Sequence, residues 1–144
     1  MAGYSGKPLV QKLGIKPGFR IFAAGIPDAY EDIVGPLPAQ AVVIARLTGA
    51  VDMIHLFAGK AAVLGKLSVY REAIKPDGMI WVSWPKKSSG FTTDVSEAVV
   101  RDAALALGLV DIKVCAIDDI WSGLKFVIPR NQREQISVAA RRRK

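Results

Sequence analysis

Three lysines that follow apolar runs are the residues of this sequence best placed to bind an anion. Lys60 follows the run 51–57, and Lys86 and Lys87 follow the run 79–84 with no acidic residue close by. If both runs are parallel strands, their carboxyl ends open on one edge of the sheet, where open α/β sheets bind ligands. A helix that starts near Lys60 would point its free amide groups at the same edge. We therefore predict a binding site for an anionic small molecule with six candidate residues: Gly25, Lys60, Trp84, Lys86, Lys87 and Ser88.

The loop after the predicted strand 79–84 has a second interpretation, and two aromatic residues are candidates for the lining of the pocket. Lys86 and Lys87 are followed by a Ser-Ser-Gly sequence, so the opposing interpretation is a pair of solvated lysines on a flexible loop. Trp84 would supply an aromatic wall to a pocket there. Tyr4 would line the same pocket if the amphipathic segment that contains Leu13 folds over the open end of the sheet.

The other reactive side chains favour structural roles. Cys115 is the only cysteine and His55 is the only histidine, so the sequence offers no intrachain disulfide and no Cys/His cluster for zinc. His55 lies within an apolar run, which favours a neutral, hydrogen-bonded histidine in a buried strand. Asp118 and Asp119 are adjacent at a predicted hairpin tip, where aspartates are usually turn residues rather than a catalytic pair.

The net charge of +7 is concentrated at the C-terminal end of the sequence. Residues 1–129 contain fourteen Lys and Arg against twelve Asp and Glu, a net charge of +2, whereas residues 130–144 contain six basic residues against one acidic residue. A basic run at a terminus is able to contact nucleic acid, but it is more often solvated and disordered. We therefore predict a disordered basic tail over 131–144 with at most a weak contact to nucleic acid. The near-neutral remainder argues against a broad nucleic-acid-binding face on the folded part.

Length and composition predict one globular domain over residues 1–130. The chain has 144 residues, of which 51% are hydrophobic and 23% are charged. Such a chain buries about two thirds of the surface that it exposes when unfolded. No apolar run approaches the roughly 20 residues of a membrane span, and the N-terminal residues do not form a signal-peptide pattern. We expect a cytoplasmic protein with no membrane partner, whose oligomeric state the sequence leaves open.

Strand and helix patterns alternate along the sequence. A capping pair, Asp28 with Glu31, opens a short helix, and a second pair, Asp94 with Glu97, opens a helix that ends at Gly108. Between these two lies a predicted helix over 60–74. The predicted strands are 19–24, 41–47, 51–57, 79–84, 110–116 and 121–128. The last two strands are too close for a crossover helix, so they form an antiparallel hairpin. The pattern predicts an α/β fold: a Rossmann-like three-layer sandwich with a mostly parallel sheet and a C-terminal antiparallel hairpin.

The segment 51–128 resembles the C-terminal half of a class I S-adenosylmethionine-dependent methyltransferase. The resemblance rests on a strand that begins Val51-Asp52-Met53-Ile54, on the turn Lys75-Pro76-Asp77-Gly78 before an apolar strand, and on the closing hairpin. The runs 3–6, 81–87 and 121–125 also resemble an uncharacterised bacterial family of unknown function, which implies no activity.

The N-terminal half departs from the methyltransferase pattern where the cofactor would bind. The resemblance implies a glycine-rich turn after the first strand, but this turn has Gly25 alone, followed closely by Pro27. It also implies an acidic residue at the end of the second strand to hold the ribose, whereas this sequence has Arg46 there. After the third strand, Lys60 is the only titratable group in the run 57–60.

These departures favour a degenerate methyltransferase-like domain that uses no cofactor and acts as a binding or regulatory module, with no catalytic residue assigned. The alternative is an active small-molecule methyltransferase with an atypical site for S-adenosylmethionine. A third hypothesis is that the basic tail brings the domain to RNA or DNA.

Overall fold

Six strands form one sheet in the order β2-β1-β3-β4-β6-β5 in the computed structural model, which describes residues 8–133. The strands are β1 (Arg20–Ala24), β2 (Val42–Ile44), β3 (Val51–Phe57), β4 (Ile74–Pro85), β5 (Val110–Ala116) and β6 (Trp121–Val127). The helices are α1 (Leu9–Leu13), α2 (Tyr30–Val34), α3 (Leu67–Ala73) and α4 (Glu97–Leu105), with 3₁₀ segments at Ala61–Lys66 and Lys87–Ser89. The helix predicted over 60–74 is thus a 3₁₀ segment that continues into α3.

The pairing of the strands confirms the predicted fold class. β1 pairs in parallel with β2 and β3, and β3 pairs in parallel with β4. β6 is antiparallel to both β4 and β5, so the C-terminal hairpin joins the sheet through β6. The carboxyl ends of β1, β3 and β4 therefore open on one edge of the sheet, as the alternation of strands and helices predicted.

Two apolar layers cover the two faces of the sheet. On one face, α1 and α2 pack over Ile21, Met53 and Trp81, and the indole Nε1 of Trp81 donates to the carbonyl of Leu13 at 3.0 Å. On the other face, α3 and α4 pack over a cluster that includes Ile54 and several residues of β4 and β6. β3 lies near the centre of the sheet and is buried on both faces, which explains its nearly continuous apolar sequence.

The Lys75-Pro76-Asp77-Gly78 sequence is an irregularity within β4 rather than a separate turn before it. Val51 lies opposite Ile74, but Met53 lies opposite Met79, so four residues of β4 lie opposite the single residue Asp52, three more than regular pairing would place there. Asp52 holds this bulge in place because its carboxylate accepts from the Arg20 amide at 2.9 Å and pairs with Lys75 Nζ at 3.1 Å.

Both predicted capping pairs are wrong. α2 begins at Tyr30 after Ala29, which provides no side-chain cap, so Asp28 does not cap it. Ser96 caps α4, and its Oγ accepts from the Val99 amide at 3.3 Å. The Asp94 carboxylate instead accepts from the Ala61 amide at 2.8 Å, at the start of the 3₁₀ segment that precedes α3. Residue spacing could not predict this cap, because Asp94 lies just before α4 but caps a segment more than 30 residues earlier in the chain.

The chain leaves the sheet beside α3. Residues 130–133 are helical, the Arg133 guanidinium donates to the Ile128 carbonyl at 2.9 Å, and Arg71 donates to the Gln132 side chain at 3.1 Å. Most of the predicted basic tail, from residue 134 onward, lies outside the described residues, as does Tyr4. Among residues 8–133, none of the helices has the length and apolar character of a membrane span.

Candidate functional site

Gly25 marks the point where the first strand ends against the backbone of the third. Its φ is +68°, and a Cβ built on Gly25 would lie 2.6 Å from the carbonyl oxygen of Phe57. A side chain is therefore excluded both by the backbone conformation and by this contact. The glycine brings the ends of β1 and β3 together.

Lys60 lines a pocket of about 430 Å³ beside the end of β3, together with Gly59, Ala62, Thr92, Thr93 and Asp94. Thr93 Oγ1 donates to the Gly59 carbonyl at 2.7 Å, and Asp94 accepts from the Ala61 amide. The Asp94 carboxylate therefore already accepts the hydrogen bond of the Ala61 amide, which was expected to help attract an anion to Lys60. The two opposite charges of Lys60 and Asp94 both border this pocket.

Trp84, Lys86 and Lys87 line a second pocket, of about 460 Å³, between the end of β4 and the start of α4. Its other lining residues are Pro85, Val95, Ser96, Glu97, Ala98 and Ser122. Trp84 is 7% exposed, so the indole is both a wall of this pocket and part of the core. Glu97 brings a negative charge, but its carboxylate pairs with Arg101 at 2.7 Å.

The two lysines of this second pocket differ in what holds them. Lys86 is tied to the β5–β6 hairpin, because its Nζ donates to the Asp118 carbonyl and its amide donates to the Ile120 carbonyl, both at 2.7 Å. Lys87 begins a 3₁₀ segment and is exposed. Lys86 therefore has a structural contact that a solvated loop lysine would lack.

The structure brings together only part of the predicted site. Trp84, Lys86 and Lys87 share one pocket, whereas Lys60 lines the other, and consecutive residues of the segment 92–98 border both. Gly25 and Ser88 are not among the residues that line these two pockets. The expectation that Lys60 joins Lys86 and Lys87 at one pocket does not match this arrangement.

Asp118 is a turn residue, as its position predicted. Its Oδ1 accepts from the amides of Ile120 and Trp121 at 2.8 and 2.7 Å, which closes the hairpin between β5 and β6. Trp121 packs edge-on against Phe57, with ring centroids 5.1 Å apart. Both of its acceptor contacts hold this carboxylate to the backbone of its own turn.

A buried polar network surrounds His55. Tyr30 Oη lies 2.7 Å from His55 Nδ1, and Ser83 Oγ lies 2.7 Å from His55 Nε2. His55 is also stacked on Phe57, with ring centroids 4.3 Å apart. Complete burial lowers the pKa of His55 to about 3, and burial raises the pKa of Tyr30. These contacts confirm the interpretation of a neutral core histidine.

Sequence reasoning did not identify the two partners of His55. Ser83 is the only polar residue within the apolar run 79–84, and this pattern was the available signal. Tyr30 follows a turn and carries no comparable signal. In residues 8–133, no group of three His, Cys, Asp or Glu side chains is arranged to hold a metal ion.

Several solved structures with a similar fold are described as methyltransferases. No family model matches the sequence, and no curated protein is significantly similar to it. A methyltransferase from Aquifex aeolicus, described as dependent on S-adenosylmethionine, is 14% identical, with 83% of this chain and 87% of that chain covered and a TM-score of 0.62. A precorrin-6y C5,15-methyltransferase from Geobacter metallireducens is 7% identical, with 84% and 86% covered and a TM-score of 0.59.

A third similar structure was solved with the methyl donor. This magnesium protoporphyrin IX methyltransferase from Synechocystis, with bound S-adenosylmethionine, is 13% identical, with 84% of this chain and 74% of that chain covered and a TM-score of 0.52. At such low identities the likeness shows the fold alone. The chain has the α/β fold of class I methyltransferases.

Proposed function

We propose that this chain is a methyltransferase-like domain that binds an anionic small molecule and acts as a binding or regulatory module rather than as an enzyme. The observation that carries the proposal is the second pocket, where Trp84, Lys86 and Lys87 face the first turn of α4. Lysine ammonium groups and the free amides of a helix start both favour an anion.

The charges around the pocket support an anionic ligand. Arg101 compensates the carboxylate of Glu97, so the two lysines are left as the uncompensated charges at the lining. Ser96 Oγ already accepts from the Val99 amide, and the preceding amides of the first turn have no partner within the helix. Each charge-assisted hydrogen bond to a carboxylate or phosphate contributes about 1.5–3 kcal/mol.

Two features of the carboxyl edge do not fit S-adenosylmethionine. The contact of Gly25 with Phe57 uses the single glycine of the first turn to pack two strands together, where a cofactor turn needs its missing side chains to face the ligand. Arg46, which follows β2, is an exposed cation where the ribose hydroxyls require a carboxylate. We therefore assign no catalytic residue and no methyl-transfer step.

The removal of one lysine charge tests the pocket, with inorganic phosphate as the probe. Phosphate should raise the melting temperature of the unmodified chain, and Lys87→Gln should abolish this rise while leaving the phosphate-free melting temperature unchanged. Lys66→Gln is the matched control, because Lys66 is an exposed lysine that lines neither pocket. An undiminished phosphate response in Lys87→Gln would contradict the proposal.

A second candidate function is methyl transfer with S-adenosylmethionine. It is favoured by the similar structures that were solved with this molecule, including a fibrillarin from Aeropyrum pernix with natively bound S-adenosylmethionine, at 17% identity, 78% and 68% coverage and a TM-score of 0.52. Saturable binding of S-adenosylmethionine would promote this candidate over the first. Membership of the bacterial family of unknown function and a cytoplasmic location also remain predictions.

A further inference from the structure

A patch of unpaired lysines lies on the side of the sheet opposite α3 and α4, away from the second pocket. Lys113 of β5 and Lys125 of β6 are directly opposite each other in the antiparallel hairpin. Lys113 Nζ donates to the Lys12 carbonyl at 3.0 Å, and Lys125 Nζ lies 3.5 Å from where a Cβ on Gly14 would be. Both ammonium groups therefore meet at the end of α1. Lys16 follows two residues after Gly14, and we call Lys16, Lys113 and Lys125 the lysine patch.

Within residues 8–133, the lysine patch forms no ion pair. Asp111, the acidic residue nearest in β5, lies before a register shift and pairs with Arg101 of α4 at 3.2 Å, on the other face of the sheet. The Lys12 carbonyl takes only one of the three protons of the Lys113 ammonium group. The charges of the patch are thus left without an acidic partner.

This arrangement costs folding stability. Like charges directly opposite each other on neighbouring strands repel. Burial, followed by the charges of Lys113 and Lys16, lowers the pKa of Lys125. A cost of this kind is expected where a ligand of opposite charge binds.

We propose that the lysine patch binds the phosphate backbone of a nucleic acid. A nucleic acid presents regularly spaced phosphates to which lysines bind as point charges, without a deep pocket.

A membrane surface fits the patch less well. On the face of the sheet that carries the patch, the neighbouring apolar residues Ile15 and Met79 are 6% and 8% exposed and offer little apolar surface to insert among lipids, although Ile112 and Val114, which flank Lys113 in β5, are 57% and 50% exposed. The low net charge of residues 1–129 had argued against a nucleic-acid face on the folded part. That argument missed the local clustering, because a net charge sums over the whole segment.

The test measures binding of the full chain to a fluorescently labelled single-stranded RNA by anisotropy, across a range of salt concentrations. The variant Lys16→Gln with Lys113→Gln removes two charges from the patch. The control, Arg46→Gln with Lys66→Gln, removes two charges from exposed positions elsewhere and so matches the change in net charge and leaves the basic tail intact.

We expect the patch variant to bind about tenfold more weakly at about 0.1 M salt, with the slope of log K against log salt reduced by about 1.4 for two lost phosphate contacts. The control should stay within about twofold of the unmodified chain. Lys113→Gln alone should raise the melting temperature, because it relieves repulsion with Lys125; a merely structural lysine would give a fall.

Three results would overturn the proposal. One is an equal loss of affinity in the patch variant and the control, which would assign binding to net charge and the tail. Another is no measurable binding of RNA by the full chain. The third is tighter binding to a poly-glutamate peptide or to vesicles containing phosphatidylserine than to RNA, which would assign the patch to a different class of partner.

Discussion

His55 Nε2 lies 2.7 Å from Ser83 Oγ, and both side chains are completely buried. Together with the Tyr30 hydroxyl on His55 Nδ1, this contact gives each ring nitrogen a hydrogen-bond partner, so a neutral imidazole can donate from one nitrogen and accept at the other. The network joins β3 to β4 and to α2, so it links the centre of the sheet to the layer that covers it.

The network makes stability depend on pH in a defined direction. Burial lowers the pKa of His55 to about 3 in the folded state, against an ordinary value of 6.5. Below about pH 6.5 the unfolded chain binds a proton that the folded chain does not, so the free energy of unfolding falls with falling pH, by up to about 1.4 kcal/mol per pH unit. Urea titrations of the unmodified chain and of His55→Gln at pH 7.5, 6 and 5 measure this dependence. A slope that persists unchanged in His55→Gln would assign it to other groups.

Removal of one partner should leave the ring nitrogen unsatisfied. Ser83→Ala is expected to lower the free energy of unfolding by about 1–3 kcal/mol at pH 7.5, the cost of a buried polar group without a hydrogen bond. Ser68→Ala is the control, because the Ser68 hydroxyl donates only to the exposed Gly65 carbonyl. Equal losses of unfolding free energy in the two variants, measured by chemical denaturation, would show that the contact between Ser83 and His55 stabilises the fold no more than an exposed serine contact does.

A pair of glycine substitutions separates backbone strain from steric contact. Gly25 and Gly18 have similar positive φ values, +68° and +78°, but only Gly25 has a neighbouring atom where its Cβ would be. Gly18→Ala should therefore cost about 1–2 kcal/mol from strain alone. Gly25→Ala should cost clearly more, because the ends of β1 and β3 must move apart. Similar unfolding free energies for the two variants would mean that the Phe57 backbone moves away from a new Cβ at little cost in stability.

Asp94 provides a test of a cap that joins two segments distant in sequence. Asp94→Ala should destabilise the domain by about 0.5–2 kcal/mol, because the Ala61 amide loses its acceptor at the start of a helix. Asp102→Ala, in the exposed middle of α4, should change stability little. Thermal unfolding of both variants at pH 7.5 measures the difference. An equal small change in both would show that the hydrogen bond from the Ala61 amide to Asp94 does not stabilise the domain.

The sequence predicted the fold well because its strands carry strong patterns. β3 was bounded correctly as 51–57, since an apolar run covered on both faces has clear ends, and Gly108 marked the end of the last helix region through its left-handed conformation. The hairpin was predictable because too few residues separate its strands for a crossover. Only three residues of the predicted strand over 41–47 pair in β2, which lies at the edge of the sheet.

The site was harder to predict because it depends on contacts between distant residues. Nothing close in sequence to Lys86 indicates that its ammonium group donates to the carbonyl of Asp118, 32 residues away. The lysine patch was not predicted for the same reason, because Lys16 is far from Lys113 in sequence. A net charge also sums over residues without regard to where the sheet places them. Edge position is readable from a sequence, but side-chain direction at that edge is not.

The most direct test of the central claim is a calorimetric titration of the full chain with S-adenosylmethionine. The proposed binding module has one glycine in its first turn, packed against Phe57, and a cation after its second strand. We therefore predict no binding tighter than a dissociation constant of about 10 μM, equivalent to about −7 kcal/mol. Saturable binding with a dissociation constant below about 10 μM would contradict the account and favour a cofactor-binding methyltransferase.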